Sequence, residues 1–262
     1  MSSIIQLNII QFSLIYLLLL VVLALMKRSK ISQTKLLLVG TMRMTVQLVL
    51  AGFILTAIFA NPHPLFTVAY IAAMIIFSIT RILNRNKWLN KNFKIAVSLS
   101  LAFSGLFILG YFTLIVVGVS VFNPQYTIPI GGMIIGNSMT GITLALKTFN
   151  ESLASNKIQL NSLLNLGATP KRILLPYVNS ALETALLPTL NSMLGMGIIA
   201  LPGLMTGQIL SGTSPTTAIL YQIAIMVAIT ASVCLSVFCS LHFGYKTLYN
   251  DRNQLIPTNY SN

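Results

Sequence analysis

"MSSIIQLNIIQFSLIYLLLLVVLALMKRSK" (residues 1–30) contains an uncharged run of 22 residues, Ile5 to Met26, followed at once by Lys27, Arg28 and Lys30. A helix of that length is about 33 Å long, and the hydrocarbon core of a bilayer is about 30 Å thick. The run has no basic segment before it and no small-residue cleavage site after it, so it is expected to stay as a first span and not to be removed as a signal peptide.

The rest of the chain repeats the pattern. Of 262 residues, 55% are hydrophobic and 7% charged, against about a quarter charged in soluble domains. Mean hydropathy is +0.85. The apolar runs do not alternate polar and apolar as barrel strands do. They predict an all-α, polytopic transmembrane bundle of about seven spans: Ile5–Met26, Leu36–Ala60, Leu65–Leu83, Ile95–Val121, Ile128–Leu146, Tyr177–Leu201 and Pro215–Phe243. The whole of 1–262 reads as one transmembrane domain, with no linker and no room for a soluble domain.

The net charge of +13 arises from sixteen Lys and Arg against Glu151, Glu183 and Asp251. No basic segment is interleaved with aromatics, so no nucleic-acid partner is expected. The charge reads as a topology signal. Segments 27–35, 81–94 and 147–176 and the tail carry Lys or Arg, whereas "NPHP" (61–64), 122–127 and 202–214 carry none. With basic segments inside, this alternation predicts an external N-terminus and a cytoplasmic C-terminus.

Enzyme signatures are missing: there is no HExxH, CxxC or GxSxG. There is no GxxxxGK[ST] either, so the chain does not bind ATP by a P-loop and no cofactor is expected in it. Cys234 and Cys239 are five apart on one helix and read as packing residues. His63, between two prolines, reads as a turn residue. Glu183 is the one acid inside a span, too little for the carboxylate relay of a proton-driven pump. A transporter of this composition borrows its energy from a separate ATPase, and the competing class is a passive channel.

Polar residues inside spans mark either a pathway or interhelical hydrogen bonds. They are Arg43 and Gln47 in the second span, Asn137 and Asn191 near mid-depth, and Gln208 and Gln222 toward the outside. Gln47, Asn137 and Asn191 are candidates for one shared route, and Arg43 with Glu183 for an ion pair. Met133, Met139, Met193, Met196 and Met205 gather in the same regions. Thioethers are soft ligands and equally flexible packing groups, so no metal ligand is assigned. Gly132 with Gly136, and Gly203 with Gly207, are spaced for close helix approach.

The longest loop, about 147–176, contains "NSLLNLGATPKRILLP" (161–176). Leu160, Leu163, Leu164 and Leu166 fall near one face of a short helix, Gly167 offers a left-handed exit, and Thr169-Pro170 suits a helix start. Lys171 and Arg172 follow. Such a helix either docks in a partner's groove or lies on the membrane.

"RMTVQLVLAGFIL" (43–55), "IPIGGMIIGNSM" (128–139), "LNLGATPKR" (164–172), "LLPTLNS" (186–192), "ALPGLMTGQILSGTSP" (200–215), "YQI" (221–223) and the tail "YNDRNQL" (249–255) occur in order along nearly the whole chain. Together they resemble the FetB-type family of ABC-transporter permeases, proposed iron or metal exporters with plant aluminium-tolerance relatives. The resemblance implies a permease subunit in a bacterial inner membrane, working as a homodimer in contact with lipid and with a cytoplasmic ATPase that binds the ATP. It also implies that Leu160–Arg172 is the coupling segment, with Leu160, Leu163, Leu164, Gly167, Lys171 and Arg172 at the ATPase. Met139, Met205, Gln208 and Gln222 join Arg43, Gln47, Asn137 and Asn191 as pathway candidates. Asn161-Ser162-Leu163 departs from the Glu-Ala-Ala of many ABC importers. A membrane regulator of an ATPase that moves nothing is the remaining alternative.

Overall fold

A computed structural model describes residues 8–250. The start of the expected first span, and the tail residues Asp251 and Arg252, lie outside the described residues. Within them the chain forms nine α-helices and no strand: α1 (Ile9–Arg28), α2 (Thr34–Ala60), α3 (Pro64–Arg85), α4 (Lys91–Tyr111), α5 (Pro124–Ser155), α6 (Lys157–Asn165), α7 (Pro170–Gly195), α8 (Gly203–Leu210) and α9 (Pro215–Gly244). A π-helical turn, Phe112–Val117, prolongs α4, and a 3₁₀ turn, Tyr245–Leu248, prolongs α9.

Helix starts follow local chemistry. Pro stands in the first turn of α3, α5, α7 and α9, where a missing N–H costs nothing. The His63 ring nitrogen accepts from the Leu65 amide at 3.2 Å, so this histidine is an N-cap, as a turn reading requires. Asn90 accepts from Phe93 N–H at 2.7 Å and Asn123 from Gln125 N–H at 3.1 Å.

Six helices, α1 to α5 and α9, are long and apolar enough to cross a membrane. The counterpart of the expected sixth span is α7, which is not among them. It has 26 residues but includes Lys171, Arg172 and Glu183, with Pro176 and Pro188 in its interior. The expected end of that span at Leu201 is also corrected: the helix stops at Gly195, Met196 is extended (φ −69°, ψ 138°), and Gly197 turns the chain at φ +81°.

The core is formed by α4, α5 and α9, with α3 and α7 packed on it. Lipid tails are as apolar as leucine, so close packing and not water exclusion holds such helices together. Gly141 of α5 provides one close approach: a Cβ there would lie 2.7 Å from Val233 Cγ1 and 3.2 Å from Val237 Cγ2 on α9. One turn away the Ser138 and Ser232 hydroxyls bond at 2.8 Å in full burial. Gly131 meets Ile71 of α3, and Gly244 meets the ring of Phe93. The expected pairs behave differently. Gly136, Gly203 and Gly207 have open space where a Cβ would stand, and Gly132 only an ordinary contact with Met74. At the opposite side α1 joins α2 through Tyr16 and Thr45 (2.8 Å), and both helices are largely exposed.

Among the described residues the ion pair is Lys147 with Glu151 at 3.7 Å, exposed; the expected Arg43–Glu183 pair is not formed.

Gly141→Ala forces a methyl into the α5–α9 seam against a β-branched side chain that has little freedom to turn away. It should destabilise the protein by about 1–3 kcal/mol, whereas Gly136→Ala should be neutral. Thermal unfolding in detergent checks this; equal midpoints for the two variants would contradict the seam.

Candidate functional site: a thioether-lined cavity

The interruption after α7 builds the site. Pro188 removes one amide from the helix ladder, and the helix ends about two turns later, at Gly195. The Gly197 N–H then donates to Ala200 O at 3.0 Å, and Pro202 stands at the N-cap position of α8. The chain thereby folds against α9 and encloses a cavity of about 430 Å³ lined by Met193, Met196, Met205, Met226 and Gln222, with aliphatic residues between them. Met205 and Gln222 are buried.

The polar atoms here are few and unusually placed. Gln222 donates its amide N–H to Met196 Sδ at 3.8 Å, while its Oε1 is buried with no partner. A buried, unpaired amide oxygen costs about 1–3 kcal/mol. The Thr230 hydroxyl lies 3.2 Å from Met193 Sδ and 2.8 Å from Met226 O. A second cavity of about 210 Å³, between α5, α7 and α9, shares Met196 and Met226 as walls and continues to Asn137, Thr140 and Ser192. The two cavities adjoin at these methionines, and neither lining contains a carboxylate. Among the described residues no three His, Cys, Asp or Glu side chains gather as metal ligands. The polar atoms in the two linings are soft sulfur and neutral hydroxyl and amide groups, set among aliphatic side chains.

A family profile described as "Uncharacterised protein family (UPF0014)" matches residues 9–249, which takes in every helix and both cavities. The chain belongs to that family. Its relatives include the UPF0014 membrane protein YjkA of Bacillus subtilis (strain 168), 31% identical over 95% of this chain and 98% of the relative. The Probable iron export permease protein FetB of Escherichia coli (strain K12) is 30% identical over 88% of each chain. Protein ALUMINUM SENSITIVE 3 of Arabidopsis thaliana is 37% identical over 55% of this chain and 53% of its own length. No solved structure matches. This UPF0014 chain is thus a multi-pass protein of the cell membrane, related to membrane permeases.

The candidate residues separate into distinct places. Met205 and Gln222 meet in the first cavity and Asn137 lines the second, although the Asn137 amide also donates to Met133 O on its own helix at 2.7 Å. Asn191 is exposed on α7 and lines neither. Met139 is half-buried against the core, and Gln208, on α8, keeps an unpartnered buried Oε1 outside both. Arg43 and Gln47 line a different groove, between α2 and α3. Within one copy of the chain, Gln47, Asn137 and Asn191 do not line one cavity. Sequence reading missed Met226 and Thr230, although Met226 stands four residues after Gln222, on the same face of one helix.

The loop also departs from expectation. The helix is α6, Lys157–Asn165, and Lys171 and Arg172 stand exposed in the first turn of α7. Leu160 is 3% exposed within the chain's own core, so it does not point to a partner. Leu163 and Leu164 are half-buried beside it. The apolar side chains that α6 and its exit present outward are Ile158 and Leu166, 85% and 83% exposed. Gly167 does take the left-handed conformation, at φ +84°. The amides of Gly167 and Ala168 bond back to Leu164 O and Leu163 O, both at 3.0 Å, which closes the helix end.

Because Gln222 Oε1 satisfies nothing inside the chain, Gln222→Leu should leave the unfolding midpoint unchanged or raise it by up to about 1 kcal/mol of stability. A loss of several kcal/mol in thermal unfolding would instead make the amide a structural group.

Proposed function

We propose that this protein is the membrane-spanning subunit of an ATP-driven (ABC) transporter that exports iron or another metal ion, or a metal-bearing solute, with the energy supplied by a separate cytoplasmic ATPase. The observation that carries the reading is the near full-length likeness to a probable iron export permease, joined to a chain with no nucleotide-binding motif. In this reading α7 is the sixth of seven crossings despite its prolines and charges, the N-terminus is external, and α6 lies in the cytoplasm. Two copies of the permease flank the pathway, and the thioether cavity receives the cargo.

The coupling surface is α6 together with its exit. Leu160 pins the helix to the core, and Leu163 and Leu164 complete that attachment, so movement of α6 is passed to α5 and α7 without slack. Ile158 and Leu166 are the apolar contacts offered to the ATPase groove, and Lys171 and Arg172 flank them. Ile158→Asp with Leu166→Asp replaces two exposed side chains and leaves the fold intact, but buries charge in the proposed interface. Co-purification with the ATPase should fall by about tenfold or more and metal resistance of cells carrying the gene pair should be lost, at unchanged insertion. Full co-purification and resistance in the double variant would remove α6 as the coupling element; resistance that never depended on the ATPase would favour a passive channel.

A further inference from the structure

Arg43 and Arg81 both line a groove of about 620 Å³ between α2 and α3. The two helices form an antiparallel pair joined at residues 61–63, since α2 ends at Ala60 and α3 begins at Pro64. Arg43 lies 17 residues before Ala60 and Arg81 lies 17 residues after Pro64. The two guanidinium groups are therefore at the same depth, about 26 Å from the turn at 1.5 Å per residue. In a hydrocarbon core about 30 Å thick, that is the level at which the far leaflet's headgroups begin.

Among the described residues neither arginine has an acidic partner. Glu151 is paired with Lys147, Glu183 does not line the groove, and Asp251 lies outside the described residues. The Arg43 guanidinium carbon stands 5.7 Å from the centre of the Phe77 ring, which orients the cation without neutralising it. Two like charges sharing one cleft repel, and more strongly the less water the cleft holds. From the arginines toward the turn, the α2 side of the groove carries Leu48 and Ile54, a trough matched to an acyl chain. We propose that the α2–α3 groove is a binding site for an anionic phospholipid, whose headgroup phosphate bridges Arg43 and Arg81 while one acyl chain lies along Leu48 and Ile54. Guanidinium groups suit this role because each can grip phosphate oxygens in a bidentate fork, and basic clefts between spans at headgroup level are a recurring lipid site. The site is separate from the thioether cavity, and binding there requires neither an ATPase nor a cargo.

The purified full chain, equilibrated in micelles containing phosphatidylglycerol or phosphatidylcholine, tests this by native mass spectrometry. Phosphatidylglycerol should be retained about tenfold more than phosphatidylcholine. Arg43→Gln with Arg81→Gln should abolish the preference, Arg43→Lys with Arg81→Lys should keep part of it, and Lys147→Gln should not change it. Excess glycerol phosphate should not displace the lipid. Equal retention of the two lipids by the wild-type chain would overturn the proposal, as would a preference surviving in the glutamine pair. Complete displacement by glycerol phosphate would show a free-anion site instead. The wild-type comparison and the lysine pair keep the test decisive if the glutamine pair fails to fold.

Discussion

The contact of Gly141 with Val233 is the constraint on which the rest of the structure depends. Within a bilayer, apolar side chains gain little by leaving lipid for protein, so helices must earn their association through close fit. A glycine on α5 leaves room for the Val233 and Val237 side chains of α9, and the buried Ser138–Ser232 hydrogen bond fixes the register of the two helices. With that seam set, α4 and α7 have defined places on either side. The second cavity lies beside it, with Gly141 itself in the wall. Any shift of α5 along α9 would therefore change both the core and the proposed cargo path.

The second determinant is a deliberate failure of regular helix. Pro188, Gly195, Gly197 and Pro202 stop α7, turn the chain and restart it as α8 within a few residues. One side of the break, at Met196, Gly197, Leu201 and Pro202, lines the first cavity, while Ile198 and Ile199 between them stand exposed. The break delivers Met193 and Met196 from one element and Met205 from the next to face Met226 and Gln222 on α9. The lining has no formal charge, and in the proposed reading a cation entering it would meet only soft, weak ligands.

Much of this was legible in the residues. Apolar run lengths located the long helices, Gly167 and Thr169-Pro170 marked the end of α6 and the start of α7, and His63 read correctly as a turn residue. What escaped has one physical cause. A membrane helix that is apolar on all sides carries little sign of which face is buried, so spacing alone did not distinguish Gly131 and Gly141 from Gly132 and Gly136, or identify Leu160 as a core residue. The polar candidates in different spans were grouped by depth, yet depth does not report azimuth. Gln47, Asn137 and Asn191 thus fell into three separate environments. The sulfur cluster was visible in part, and Met226 was missed because its partners lie on another helix.

The central claim is that this chain moves metal only under the drive of an ATPase. Vesicles containing the purified permease and its ATPase, with ferrous iron and ATP supplied on the ATPase side and a metal-sensitive dye on the other, measure it directly. Iron should enter only with hydrolysable ATP and should stop when either subunit is omitted. Flux of the same size without ATP would make the chain a channel, and ATP hydrolysis stimulated by the permease with no metal movement would make it a regulator.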